Sequence, residues 1–335
     1  MDSLSVIWLA FAGCATTIAT GGILLSRYGD IIARRTGLSG SWIGLVLLAT
    51  VTSMPELVTG ISSVTVADEP NIALGDILGS CVFNLAILVV VDFLYRRAPI
   101  YTCASHGHIL SAAFGCVLIG VAASGILLAP RLGGMTIGWI GLGTPLLVLL
   151  YAVAMRTVFV YERRQAAAAA ADEDDGGLTL RQAALRYAGA AALVVGAGVW
   201  LPFVGAMLAE AMGWHKTFVG TLFVAAVTSL PEAAATIGAL RVGALDMAIA
   251  NLLGSNLFNM VILAIDDLFY LRGPLLSHVS PMHAVSAVSA MVMSGLVIVG
   301  LLSRPASRPF RLVGWTSIGL LTIYLLNSMV LYLHE

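Results

Sequence analysis

The chain has 335 residues, 59% of them hydrophobic and only 10% charged, with a mean hydropathy of +0.96. A soluble domain does not need so much apolar surface, whereas a chain embedded in lipid does, because its exterior is apolar as well as its core. The composition argues for a polytopic membrane protein; the formal net charge of −1 by itself says nothing about partners, and no nucleic-acid partner is expected.

At roughly 20 apolar residues per crossing, ten spans are expected: 4–28, 40–66, 71–94, 107–129, 135–159, 182–209, 217–240, 244–270, 282–302 and 310–333. All read as helices, since lipid tolerates only helices or closed barrels and these runs lack barrel alternation. The start, Met1-Asp2-Ser3, is acidic and does not read as a cleaved signal peptide.

The second span carries Ala49-Thr50-Val51-Thr52-Ser53-Met54-Pro55-Glu56, and the seventh repeats it as Ala225-Ala226-Val227-Thr228-Ser229-Leu230-Pro231-Glu232. The third span carries Gly79-Ser80-Cys81-Val82-Phe83-Asn84, matched in the eighth by Gly254-Ser255-Asn256-Leu257-Phe258-Asn259. Gly37, Gly44 and Asp92 find counterparts in Gly213, Gly220 and Asp267. Five spans therefore form a first repeat, 1–164, and five a second, 182–335. An odd number of spans per half inverts one against the other, a common transporter plan. Between them, 165–181 holds an alanine run and Asp172-Glu173-Asp174-Asp175. Without the closing glutamate of a calcium loop, this reads as a solvated linker.

With the N-terminus outside, all 17 Lys and Arg except Arg131, Lys216 and Arg272 lie on the inner side. The positive-inside rule then puts both termini outside and the linker in the cytoplasm of a multi-pass inner-membrane protein. The four cysteines, Cys14, Cys81, Cys103 and Cys116, have no metal-type spacing and read as small buried thiols.

A charged carboxylate at mid-membrane depth costs about 2.5–3.5 kcal/mol on insertion scales, and this chain places one twice in the same context. The proline before each glutamate interrupts the helix, and Gly-Ser ahead of Asn is expected to break the third and eighth spans. Thr52 and Ser53 lie four and three residues before Glu56, as Thr228 and Ser229 do before Glu232. Ser80 and Ser255 stand four before Asn84 and Asn259. At helical spacing these oxygens share faces. Two carboxylates, two amide oxygens and several hydroxyls, with no thiolate or imidazole, form a set for a hard cation such as calcium or sodium.

These motifs resemble the alpha repeats of the cation/calcium exchanger superfamily, of the sodium/calcium exchanger type. In that family Gly-Thr-Ser-x-Pro-Glu and Gly-Ser-Asn-x-Phe-Asn/Asp recur in two inverted five-helix halves. The resemblance implies a secondary antiporter that exchanges calcium for sodium or protons by alternating access, with the first and sixth spans sliding past an eight-helix core. The ligands it implies are Thr52, Ser53, Glu56, Ser80, Asn84, Thr228, Ser229, Glu232, Ser255 and Asn259. The expected partners are the transported ions and the lipid bilayer, with no cofactor and no obligate protein partner. Val51 and Val227 replace the family glycine, Cys81 the usual Asn, and Asn259 an Asp found in many sodium/calcium members. With Glu56 and Glu232 the only charges counted, the site carries −2, which implies weakly electrogenic or electroneutral exchange and leaves the counter-ion open.

Other polar groups read as follows. Asp76 and Asn251 either line the access path or cap their spans. Asp92, Asp266 and Asp267 are expected near span ends, interfacial or paired with Arg96 or Arg272. His106, His108, His278 and His283 read as solvated loop residues. A calcium channel built from the same oxygens is a rival that needs no counter-ion. An intramembrane aspartyl protease pairing Asp30 with Asp76 would leave the repeated glutamates without a role.

Overall fold

The computed structural model describes residues 4–132, 136–168, 178–212, 224–305, 307–309 and 313–334. Among them, nine helical segments are long and apolar enough to cross a membrane. The expected seventh span, 217–240, begins outside the described residues. Its described part is α10 (Val224–Thr228) and α11 (Leu230–Arg241).

The first span, α1, runs over Leu4–Thr36 and extends beyond the expected 4–28. At 1.5 Å per residue its 33 residues reach about 50 Å, well beyond a hydrocarbon core of about 30 Å, so it must tilt or project. The second span is built in pieces: α2 (Gly40–Ile43), a π-helical turn (Gly44–Leu48), α3 (Ala49–Thr52), α4 (Met54–Ser62) and a second π turn (Ser63–Ala67). The remaining first-half helices are α5 (Pro70–Leu94), the short α6 (Ile100–Cys103), α7 (Gly107–Leu132) and α8 (Gly143–Ala168). A two-stranded ribbon, β1 (Thr136–Ile137) and β2 (Ile140–Gly141), sits in the loop before α8 and departs from the all-helical expectation. In the second half α9 (Leu180–Ala211) pairs with α1, and α12 (Leu245–Phe269), α13 (His283–Ser303) and α14 (Trp315–His334) follow α11.

Helix α8 continues to Ala168, and a Thr179–Gln182 capping box starts α9, so both helices enter the expected linker 165–181. Its acidic run lies outside the described residues.

The expected breaks in the third and eighth spans are absent. Helix α5 runs unbroken through Gly79-Ser80 to Leu94, and α12 through Gly254-Ser255 to Phe269. Glycine, unlike proline, keeps its own backbone donor, and tight packing holds it helical. In α12, a Cβ on Gly254 would strike the backbone of Leu45. Lipid gives no hydrophobic drive between helices, so such close approach through small residues is what holds a membrane bundle. The same holds for Gly22 of α1, where a Cβ would lie 2.7 Å from the Ala235 backbone of α11.

Burial orders the bundle from centre to rim. In α12, 83% of the apolar window is buried, and in α5 61%, against 17% in α14 and 22% in α1. The central cluster joins Leu74, Ile77 and Leu85 of α5 to Leu252, Leu257 and Met260 of α12. A second cluster joins Leu25, Leu48, Val194 and Ala235 from α1, the second span, α9 and α11.

Two aspartates close the repeats in parallel. Asp92, at the end of α5, accepts from Ile100 N (3.1 Å), Gly314 N (2.6 Å) and the Ser317 hydroxyl (2.8 Å), with Arg308 at 3.3 Å. Asp267, at the end of α12, accepts from Leu275 N (2.6 Å), Gly141 N (3.0 Å) and the Thr144 hydroxyl. Each pins the turn after its own helix and the start of the last helix of the opposite repeat. Neither takes the expected Arg96 or Arg272, because both carboxylates are buried under loop amides; Arg272 instead pairs with the exposed Asp68.

Candidate cation site

The second and seventh spans are interrupted at one residue each. Ser53 has φ −87° and ψ 12°, and Ser229 has φ −83° and ψ 6°, in the sparsely occupied bridge region where site residues are often found. The cause follows directly. Pro55 and Pro231 have no amide hydrogen and would press on the preceding turn, so each helix stops and restarts with proline in its new first turn. Glu56 and Glu232 fall in that first turn, where free N–H groups and the positive end of the helix favour a carboxylate.

The two breaks meet. Ser53 donates to Oε1 of Glu232 at 2.8 Å, and Ser229 donates to Oε1 of Glu56 at 3.2 Å, so each repeat's serine holds the other's glutamate. From the third and eighth spans, Ser80 donates to Glu56 at 3.3 Å and Ser255 to Glu232 at 3.4 Å. Ser229 and Ser80 also join at 3.0 Å. Thr52 donates to the Ala49 carbonyl at 3.3 Å. Thr228 donates to Oδ1 of Asp76 at 2.8 Å.

The asparagines are oriented by their donors. The Asn84 amide donates to Oδ1 of Asn256 at 3.1 Å, and Asn256 donates to the Cys81 carbonyl at 3.1 Å. Asn259 donates to the Ile77 carbonyl (3.5 Å) and to the Cys81 sulfur (3.6 Å). Asn256 and Cys81 occupy the same motif position in the two repeats, so each repeat uses that residue to hold the other's asparagine. All ten expected ligands are at most 1% exposed. Four of them keep a buried acceptor oxygen with no partner: Oε2 of Glu56 and Glu232, and Oδ1 of Asn84 and Asn259. Unpaired buried acceptors on one set of residues, with no free donor among them, are what a desolvated cation requires.

Three further buried polar residues stand beside the motifs. Asp76 is neither exposed nor a helix cap: it is fully buried and bonded to Thr228, which adds a third carboxylate to the two counted in the sequence. Its departure from Asn251, which donates to the Glu232 carbonyl (3.2 Å) and Thr236 (3.1 Å), was the available signal. Asn256 stood within a quoted motif. Asp266, fully buried, had no motif to mark it.

Other expectations are corrected. His108 is 1% exposed and joins Asp246 at 2.9 Å, and His283 is also buried, beside Asn71 at 3.2 Å. His106 and His278 are exposed, as solvated loop residues should be. Cys81 is buried, Cys14 and Cys116 are half-buried, and Cys103 is exposed at a cavity of about 1060 Å³ that also takes in Asp30, Glu162 and Asp246. Asp30 pairs with Arg34 at 3.0 Å in that cavity, apart from Asp76, which removes the aspartyl dyad. Among the described residues, no group of three or more His, Cys, Asp or Glu side chains could hold a metal ion without neutral oxygens.

The family model for the sodium/calcium exchanger protein matches residues 6–160 and 183–333. The chain is 24% identical over 320 residues to the inner membrane protein YrbG of Escherichia coli K12, covering 90% of this chain and 92% of that protein. It is 32% identical over 143 residues to the sodium/calcium exchanger MaX1 of Methanosarcina acetivorans, over 42% of this chain and 38% of that one. A solved structure of the sodium-calcium exchanger NCX_Mj, soaked with sodium and no calcium, shares the fold with a TM-score of 0.74, 17% identity, and coverage of 97% of this chain and 98% of that one.

Proposed function

The chain belongs to the sodium/calcium exchanger family, and from that premise we propose that it is a secondary antiporter exchanging calcium for sodium across an inner membrane. The ions bind mid-membrane at Thr52, Ser53, Glu56, Ser80, Asn84, Thr228, Ser229, Glu232, Ser255 and Asn259. The observation that carries this reading is the set of unpartnered oxygens on Glu56, Glu232, Asn84 and Asn259, each held by a residue of the opposite repeat or span. Calcium takes six to eight oxygens at about 2.3–2.6 Å, and the four side chains with their serine and threonine hydroxyls supply that number.

What surrounds the breaks supports a reading of alternating access. A Cβ on Gly198 of α9 would lie 2.7 Å from Pro55 and 3.5 Å from Pro231, so α9 crosses both broken helices at their prolines. Helix α1 lies along α9 and α11 with Gly21, Gly22 and Ser26 at the contacts. Two long helices on small-residue tracks can shift over the site without unpacking α5 and α12. The repeats are 1–164 and 182–335, the linker is cytoplasmic and both termini are outside. Inner-membrane placement is supported by the name of YrbG and by the apolar spans.

The test is calcium flux in proteoliposomes with imposed sodium and proton gradients applied separately. Calcium uptake driven by outward sodium supports the proposal, uptake driven only by a proton gradient would make the protein a proton/calcium antiporter, and uptake needing neither would make it a channel.

A further inference from the structure

Repeat symmetry is broken beside the site at the pair formed by Asn251 and Thr236. In the second repeat, Asn251 of α12 bonds to Thr236 of α11 and to the Glu232 carbonyl, a neutral and satisfied pair. In the first repeat the matching positions hold Asp76 and Gly60, so the amide becomes a carboxylate and the threonine side chain is absent. The vacated space is filled from α12: a Cβ on Gly60 would collide with the Asp266 carboxylate, which occupies it. The counterpart of Asp266 is Val91, an apolar core residue. Two carboxylates thus stand where the other repeat has none.

Asp266 is fully buried and neither of its oxygens has a hydrogen-bond partner; Oδ2 of Asp76 is also unpartnered. By repeat symmetry Asp76 faces position 60 as Asn251 faces Thr236, and position 60 is the space that the Asp266 carboxylate fills. Gly60 lies one helical turn beyond Glu56, on the way to Asp68, which pairs with Arg272 at the protein surface. A buried carboxylate without donor or counter-charge is among the costliest groups a membrane protein can carry.

We propose that Asp76 and Asp266, around Gly60, bind a second divalent cation between the central site and the face that carries Asp68 and Arg272. One divalent ion neutralises the pair, whereas a single sodium leaves a net negative charge in low dielectric. The position is a way-station on one side only, since Asn251, Thr236 and Val91 provide no equivalent toward the opposite face. It rests on the proposed transport function, because calcium is taken as the ion that passes.

The experiment is equilibrium binding of radiolabelled calcium to the purified full chain, for wild type, Glu232→Gln, Asp266→Asn and Asp266→Val. The expected result is two calcium ions per wild-type chain and one in each variant. The ion left in the Asp266 variants is lost on adding Glu232→Gln, which also shows those variants to be folded. An Asp266→Asn chain that keeps the wild-type count and affinity overturns the second position and leaves the central site standing. A Glu232→Gln chain that keeps both ions, while Asp266→Asn loses one, overturns the central assignment instead. Loss of all calcium binding in both Asp266 variants overturns the proposal by making Asp266 structural.

Discussion

The Ser53 hydroxyl donates to Oε1 of Glu232 at 2.8 Å, and the two residues come from opposite repeats. Neither glutamate is oriented by its own helix alone, so the site exists only when the repeats are docked. Removing one hydroxyl frees a carboxylate oxygen in a buried setting. A hydrogen bond to a charged group contributes about 1.5–3 kcal/mol. Ser53→Ala and Ser229→Ala are each expected to weaken calcium half-saturation of uptake by about tenfold, the lower end of that range. Calcium titration of flux measures it, and unchanged half-saturation in both variants would mean that the serines do not hold the glutamates.

Asp76 changes the charge balance. Glu56 and Glu232 alone balance one calcium or two sodium ions, but in the sodium-loaded state, with no calcium at Asp76 and Asp266, Asp76 adds a buried negative charge bonded to Thr228 that can balance a third sodium. Exchange is therefore expected to move net charge, against the near-electroneutral exchange that the sequence implied. Sodium-driven calcium flux should respond steeply to a potassium–valinomycin potential, and Asp76→Asn should flatten the response. Asn259, which contacts the carbonyl of neighbouring Ile77, is placed to restore it: Asn259→Asp in the Asp76→Asn background should recover the slope. A wild-type flux indifferent to potential contradicts this.

The ten candidate positions stood out because each lies in a repeated motif at helical spacing, and the structure buries all of them; proline marked the breaks at Ser53 and Ser229. The continuity of α5 and α12 was not legible, because whether Gly-Ser breaks a helix depends on the neighbour pressing on it, here Leu45 against Gly254. The burial of Asp266 was hidden for a related reason. Burial of a single aspartate is a tertiary property, and without a partner at fixed spacing the sequence offers no period to reveal it. His108 was misjudged because its partner, Asp246, is remote in the chain.

Asp92 and Asp267 are expected to matter for stability rather than for ion selectivity. Each gathers loop amides and a hydroxyl under full burial, and Asp92 also faces Arg308. Asp92→Ala and Asp267→Ala should each lower the unfolding temperature in detergent, at a cost of about 3–5 kcal/mol where a buried charged partner is left behind. Protein that still folds should keep its calcium half-saturation. A shift in half-saturation without thermal destabilisation would assign them to the ion path.

Topology can be read with cysteines. Cys103 is exposed at the cavity that also takes in Arg34, Arg163 and Arg304, the basic end of the molecule. In a chain with the other three cysteines replaced, Cys103 should react with a membrane-impermeant reagent only from the cytoplasmic side, and a cysteine at position 335 only from outside. Labelling of Cys103 in intact cells would invert the orientation.

The most direct measurement is sodium-gradient-driven calcium uptake by proteoliposomes containing wild type, Glu56→Gln or Glu232→Gln. Both substitutions keep the side-chain volume but remove one of the two buried carboxylate charges proposed to hold the cation. The account predicts uptake by the wild type and loss in each variant, with both variants still inserted and monodisperse. Near-normal uptake by either glutamine variant would contradict it.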